Sequence, residues 1–220
     1  MLIELSQMSS GWFWFSNLMA VAALLLVILT AQWSLVISVS TRHHLLFGSV
    51  FILTGFWLME FSVIQGLFIH PIIMTSATLM LGFRFGSIAG CVSAVIYFWF
   101  AQHPIENWGF YTLTNVFIPA AFVTGLTRWL RRMNPNNLFF YTLGVGFLGG
   151  ALTVPLVAAT GFLLVYFFDF TWHSGVALQP EWILLAMFPE AFINGVIVSS
   201  ITVFFPEWMK TFDEEYFLSR

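Results

Sequence analysis

The hydrophobic positions of this chain form long apolar stretches, and the polar positions are confined to short segments between them. A helix needs about twenty mainly apolar residues to cross roughly 30 Å of hydrocarbon. The pattern therefore predicts an all-α integral membrane protein of about seven transmembrane helices, in a single transmembrane domain that covers residues 1–220. The predicted spans are 12–31, 45–61, 69–81, 85–101, 110–130, 138–168 and 182–205.

Two of these spans are irregular. The third is short and is bounded by Pro71 and Gly82, which predicts a short or broken helix. The sixth is long, and Pro155 after a glycine pair predicts a kink within it. The polar stretch 34–44 is expected to be a connecting loop or interfacial turn.

Composition excludes a soluble domain. Only 8% of the residues are charged and 60% are hydrophobic, whereas a soluble domain carries roughly a quarter charged residues. The opening MLIELSQMSSGWFWF has no basic stretch before its apolar run, so we expect no cleaved signal peptide.

The basic residues give the predicted spans an orientation. All seven follow the first, third, fifth or seventh span, so a chain with its N-terminus outside places every one of them in the cytoplasm. This agrees with the positive-inside rule and predicts an N-out, C-in topology. The seven are Arg42, Arg84, Arg128, Arg131, Arg132, Lys210 and Arg220.

The predicted outer side is acidic and contains histidine. Such a surface attracts cations, although acidic loops are also what the positive-inside rule leaves on that side. Both interpretations stay open. The residues concerned are Glu4, Glu60, His70, His103, Glu106, Asp169, His173 and Glu181.

Ionisable groups inside a bilayer indicate function by default. Glu190 lies within the seventh span, and Asn194 is four residues further on, so both project from one helical face. This pair predicts a cation or proton site or a contact with a coupling subunit. The equally weighted alternative is a carboxyl group that bonds a neighbouring helix and locks the bundle.

Candidate metal ligands lie near the predicted outer loops. Imidazole suits cobalt, nickel, copper or zinc, so His70, Glu60 and His103 are candidate ligands. The alternative for a single histidine near an interface is a hydrogen-bonded structural group. No intrinsic cofactor is expected beyond such a bound transition-metal ion.

The sequence lacks the common catalytic motifs. There is no Walker A sequence, HExxH, GxSxG or glycine-rich phosphate loop. We therefore expect no enzyme activity, and any ATPase must be a separate subunit. Three clustered arginines are a topology signal, so no nucleic-acid partner is expected. Small residues, as in Gly86-x-x-x-Gly90, predict close helix approach or a subunit interface.

Residues 51–130 resemble the core of the CbiM-like substrate-capture permeases of energy-coupling-factor transporters for cobalt and nickel. The motifs that carry the resemblance are IHPIIMTSATLMLG, FGSIAGCVSAV and TLTNVFIPAAFVTGLTRWL. A poorly characterised branch of that family is more similar still, through HLLFG, NLFFY, MFPEAFINGVIV and PEWMKTFDEEYF. The resemblance covers most of the chain.

The chain departs from that family at its metal site. Better known members hold the metal with the amino terminus, a histidine at position two and a histidine of a Ser-Gly-His run. Here Leu2 and Thr78 occupy the two histidine positions, and Asn115 matches an asparagine of the family's pocket. Ligation by His70 in their place is a hypothesis.

The resemblance implies a substrate-binding membrane subunit of an energy-coupling-factor uptake system in a bacterial cytoplasmic (inner) membrane. The expected substrate is a divalent transition-metal ion held near His70, Glu60, Asn115 and His103, with coupling residues Glu190 and Asn194. The expected partners are membrane lipid, other membrane subunits and a separate ATPase. The alternative is a non-transporting structural or assembly subunit of a larger membrane complex.

Overall fold

The computed structural model describes residues 2–3, 10–64, 67–133, 137–167, 180–213 and 217. Within these residues the chain is mainly helical, and its helices pack around two clusters of buried apolar side chains. The helices are α1 (Ser10–Thr30), α2 (Trp33–Ser38), α3 (Ser40–Trp57), α4 (Met74–Phe100), α5 (Trp108–Thr112), α6 (Ile118–Arg132), α7 (Gly149–Phe167) and α8 (Pro180–Phe204).

Five helical stretches of the described residues are long and apolar enough to cross a membrane, which confirms the membrane-protein prediction at that level. Two of them are composite. A π-turn, Leu113–Phe117, joins α5 to α6, and a second π-helix, Phe140–Leu148, leads into α7. The five stretches are Gly11–Thr30, Met74–Phe100, Ile105–Arg132, Phe140–Leu163 and Glu181–Phe204.

Most of the third and fourth predicted spans lie in one helical element, α4, which begins at Met74 and is broken at Gly82. Gly82 has φ 77° and ψ 169°, a conformation that glycine adopts readily and other residues rarely do. A β-carbon built on Gly90 would lie 3.1 Å from the Met74 sulfur. Sixteen residues of straight helix would span about 24 Å, so the chain folds back at Gly82. We call residues 74–81 the short arm and residues 83–100 the long arm.

Glycine lets the two arms touch. A β-carbon on Gly86 would lie 3.2 Å from the Thr78 Cα, so the backbones meet there with no room for a side chain. Seven of the eight short-arm residues are buried, and Met80 is partly so. The Gly86-x-x-x-Gly90 prediction of close helix approach is thus confirmed, within one hairpin.

One local prediction was wrong. Residues 34–44 were expected to be a connecting loop or interfacial turn, but α2 and the start of α3 occupy them. The mainly helical fold also contains a small sheet. Short strands β1 (Leu2–Ile3), β2 (Phe61–Ile64) and β3 (Leu67–Ile69) form an antiparallel sheet in the order β1-β3-β2, which pairs backbone groups of the segment between α3 and α4.

Candidate functional site

Glu190 of α8 caps the N-terminal end of the short arm. Its carboxylate oxygens accept hydrogen bonds from the backbone N–H groups of Ile72 and Ile73, both at 2.7 Å. The first N–H groups of a helix have no partner within the helix, and here the carboxylate supplies one. A negative charge at this end is also favoured by the helix dipole.

Asn194 extends the same cap by one turn. Its side-chain oxygen accepts hydrogen bonds from the Ser76 backbone N–H at 2.9 Å and from the Ser76 hydroxyl at 2.7 Å. Its amide nitrogen donates to Glu190 Oε1 at 2.8 Å. Glu190 is 2% exposed and Asn194 is fully buried. The two polar residues predicted on one face of the last span therefore act together on the short arm.

The chain that follows α8 caps the other end of the short arm. The Lys210 N–H donates to the Met80 carbonyl at 3.1 Å, and the Thr211 N–H donates to the Leu79 carbonyl at 3.2 Å. The Thr211 hydroxyl also donates to the Leu79 carbonyl at 2.9 Å. These carbonyls belong to the last turn of the arm, where a helix leaves its acceptors without partners.

One continuous segment of sequence, residues 190–211, thus holds both ends of the short arm. An eight-residue helix is marginal on its own, and an unpaired backbone group in hydrocarbon costs several kcal/mol. Groups from α8 and the chain after it remove that penalty at both ends. We call this arrangement the end clamp.

A second set of polar side chains lies near the segment that leads into the short arm. Glu60, three residues after the end of α3, accepts a hydrogen bond from the Tyr97 hydroxyl of the long arm. His103 Nε2 lies 3.0 Å from both oxygens of Glu60 and 3.1 Å from the Tyr97 hydroxyl. The side chains are sheltered, with His103 7% and Glu60 17% exposed.

His70 lies next to this trio. Its Nε2 is 3.0 Å from the Tyr111 hydroxyl of α5, and its Nδ1 is 3.0 Å from the Pro71 carbonyl. Rings of Tyr97 and Tyr111 lie 5.5 Å apart between the two histidines, and Trp57 packs against His70 at 5.9 Å. We call Glu60, His70, Tyr97, His103 and Tyr111 the histidine–tyrosine cluster.

The cluster combines nitrogen and oxygen donors that suit a transition-metal cation. No three His, Cys, Asp or Glu side chains come together within the described ranges, so a metal site there would need tyrosine or backbone oxygen as well.

Three of the four predicted ligands belong to the cluster, in which Glu60 contacts His103 and the Tyr97 ring contacts both histidines. The fourth, Asn115, is buried in the π-turn below Tyr111, where its amide nitrogen donates to the Tyr111 carbonyl at 3.2 Å and to the Thr114 hydroxyl at 2.9 Å. The side chain of Glu106 is exposed in the turn before α5. Glu4, Asp169, His173 and Arg220 lie outside the described residues.

Tyr97 and Tyr111 are the members that sequence reasoning missed. Both lie in apolar stretches where an aromatic residue suggests packing. The hydroxyl group was the feature of the sequence that could have identified them, because the hydroxyl of a buried tyrosine usually has a hydrogen-bond partner.

Basic residues gather at the opposite end of the bundle. The Lys210 ammonium lies 5.5 Å from the Phe85 ring centroid, and the Arg131 guanidinium donates to the Thr211 carbonyl at 2.7 Å. Partial burial lowers the pKa of Lys210, as do the nearby charges of Arg42 and Arg84. A cation is favourable here because the short arm ends at this point with its carbonyls.

No protein family, no curated protein and no solved structure matches this chain.

Proposed function

We propose that the chain is the substrate-binding membrane subunit of an energy-coupling-factor-type uptake system, and that it takes a divalent transition-metal ion at the histidine–tyrosine cluster. The observation that carries this proposal is the sheltered pair of Glu60 and His103, 3.0 Å apart, beside His70. A carboxylate and an imidazole in contact, with a second imidazole and two tyrosine hydroxyls beside them, offer donors of the kinds that cobalt, nickel, copper and zinc share.

The proposed orientation has seven crossings, with the N-terminus outside and the C-terminus in the cytoplasm of a bacterial inner membrane. Two observations support it. The short arm runs back alongside the long arm and so accounts for the short third span. The cluster and the basic residues Arg131 and Lys210 lie at opposite ends of the bundle, as the positive-inside rule requires.

Single cysteines at exposed positions test that orientation. Gln102 is exposed in the turn beside His103, and Met133 is exposed where α6 ends among arginines. A membrane-impermeant maleimide should label Gln102→Cys from outside, and should label Met133→Cys only after the membrane is opened. The reverse labelling pattern would reject the N-out arrangement.

Metal binding tests the substrate class directly. Purified protein should bind Co²⁺, Ni²⁺, Cu²⁺ or Zn²⁺ stoichiometrically in equilibrium dialysis. Glu60→Gln and His103→Ala should each weaken that binding by about tenfold or more, since a ligand is worth at least as much as its outer-shell partners. The matched controls are Glu106→Gln and His44→Ala, because both side chains are exposed and lie outside the cluster.

A non-transporting structural subunit is the second candidate. The observation that favours it is the end clamp, in which Glu190 and Asn194 bond to the short arm and so lock helices together. Two results together would favour this candidate over transport. The wild-type protein would bind none of the four ions, and loss of the gene would leave metal uptake by the cells unchanged.

A further inference from the structure

We propose that Glu190 is a positioning residue for the histidine–tyrosine cluster. Its carboxylate fixes the Ile72–Ile73 backbone, and that backbone sets where the His70 imidazole lies against Tyr111. The role of the cluster in metal capture rests on the proposed function, but the placement of His70 by Glu190 does not.

The held backbone is strained. Ile73 has φ 56°, in the left-handed region that a β-branched residue rarely enters. Such a conformation is unfavourable and persists only where its surroundings hold it. The surroundings here are the two carboxylate oxygens, each 2.7 Å from one of the two successive N–H groups.

The chemistry at this point requires a carboxylate rather than an amide. Three donors converge on the two oxygens of Glu190, namely the Ile72 and Ile73 N–H groups and the Asn194 amide. An ionised carboxyl group only accepts hydrogen bonds, whereas a glutamine amide must present an NH₂ group at one position. Glu190→Gln would therefore place an amide N–H donor opposite another N–H donor, with almost no change in side-chain volume.

The path from Glu190 to His70 is short and held on each side. The Ile72 N–H donates to Glu190, and the Ile72 carbonyl accepts from the Trp57 indole at 3.0 Å. Pro71 precedes Ile72, and its carbonyl lies 3.0 Å from His70 Nδ1. His70 Nε2 is in turn 3.0 Å from the Tyr111 hydroxyl. A shift of the Ile72 peptide moves the Pro71 carbonyl and so changes the bonding of the imidazole.

A merely structural Glu190 would tie α8 to the short arm without affecting His70. The two roles separate in a measurement that reports on His70 itself. Histidine labelled at a single ring carbon gives one NMR signal for each of the five histidines of this chain. The His70 signal is the one that is absent from the spectrum of His70→Gln.

The test compares Glu190→Gln with Thr202→Val in detergent micelles. Thr202 is also buried on α8, and its hydroxyl bonds the carbonyl of Val198 in the same helix, so its replacement is a matched polar change away from the short arm. We expect Glu190→Gln to move the His70 signal by more than its line width and to weaken Co²⁺ binding roughly tenfold, as loss of an outer-shell partner does. Thr202→Val should leave both unchanged.

A His70 signal at its wild-type position in folded Glu190→Gln would overturn the proposal. If that variant does not fold, hydrogen exchange of the wild-type protein decides the question. The Ile72 and Ile73 amides should then exchange as slowly as those of the short arm, and fast exchange at both would reject the positioning role. If the wild-type protein binds none of Co²⁺, Ni²⁺, Cu²⁺ and Zn²⁺ but Glu190→Gln still moves the His70 signal, metal capture is refuted and the positioning role stands.

Discussion

The first helix, α1, and the short arm of α4 differ in burial and in where their backbone groups find hydrogen-bond partners. Along residues 11–30 of α1, three side chains are buried, Ser16, Ala20 and Val27, and the rest of the helix is partly or largely exposed. In the short arm, seven of eight side chains are buried. The long helix can meet its backbone bonds internally, whereas the eight-residue arm takes many of its partners from elsewhere.

The difference shows where polar residues are needed in an apolar protein. A helix of α1's length has few terminal groups per residue, and these lie near the polar headgroup region. The short arm has its N-terminal groups inside the bundle, where a cap must come from another helix. Glu190 and Asn194 lie on α8 for this reason, and their burial is matched by hydrogen bonds to the arm.

Truncation of the clamp should give the largest effect on stability. Glu190→Ala leaves two buried N–H groups without partners, at about 1–3 kcal/mol each, so we expect the free energy of unfolding to fall by about 2–6 kcal/mol. Titration of the micelles with a denaturing detergent measures this change.

The matched truncation on α1 is Leu26→Ala, at a position that is 65% exposed. It should change the free energy of unfolding by less than about 0.5 kcal/mol. Equal losses in the two variants would remove the distinction between the two helices.

Filling the contact between the two arms should have an intermediate effect. Gly86→Ala would place a methyl group 3.2 Å from the Thr78 Cα, and because backbone cannot easily give way, we expect a loss of about 1–3 kcal/mol. Gly48→Ala in α3 is the control, since nothing lies within 4 Å of that position. That control should be neutral or slightly stabilising. The same detergent titration distinguishes them, and a neutral Gly86→Ala would contradict the hairpin.

Removal of one bond from the C-terminal cap should have the smallest effect. Thr211→Val deletes a hydroxyl that donates to the Leu79 carbonyl and lies 2.7 Å from the Tyr141 hydroxyl, but leaves the Thr211 N–H bond to Leu79 in place. We expect a loss of about 1 kcal/mol. A loss as large as that of Glu190→Ala would mean that the C-terminal cap, rather than the buried carboxylate, dominates the clamp.

The sequence predicted most where structure depends on local pattern. The first span was predicted over 12–31 from apolar residues alone and is observed as Ser10–Thr30. Pro71 and Gly82 predicted a short third segment, and the chain does break at Gly82. Both signals are short-range, so one sequence carries them. The number of crossings and their orientation stay predictions.

The sequence predicted less where contacts join distant positions. It identified Glu190 as a residue that bonds another helix or binds an ion, but its partners, Ile72 and Ile73, are backbone groups more than a hundred residues away. Hydropathy carries no information about such pairs. Tyr97 and Tyr111 were missed for the same reason, because their hydroxyl partners belong to other segments.

The end clamp also fixes an order of events during synthesis. Residues 74–81 leave the ribosome long before the residues that bond to the ends of the short arm. Glu190 lies 117 residues after its partner Ile73, and Thr211 lies 132 residues after its partner Leu79. Until that last part of the chain is inserted, the hairpin lacks the donors and acceptors that complete both ends. These hydrogen bonds can therefore form only after the last part of the chain has been made, and a chain that ends before residue 190 cannot form them.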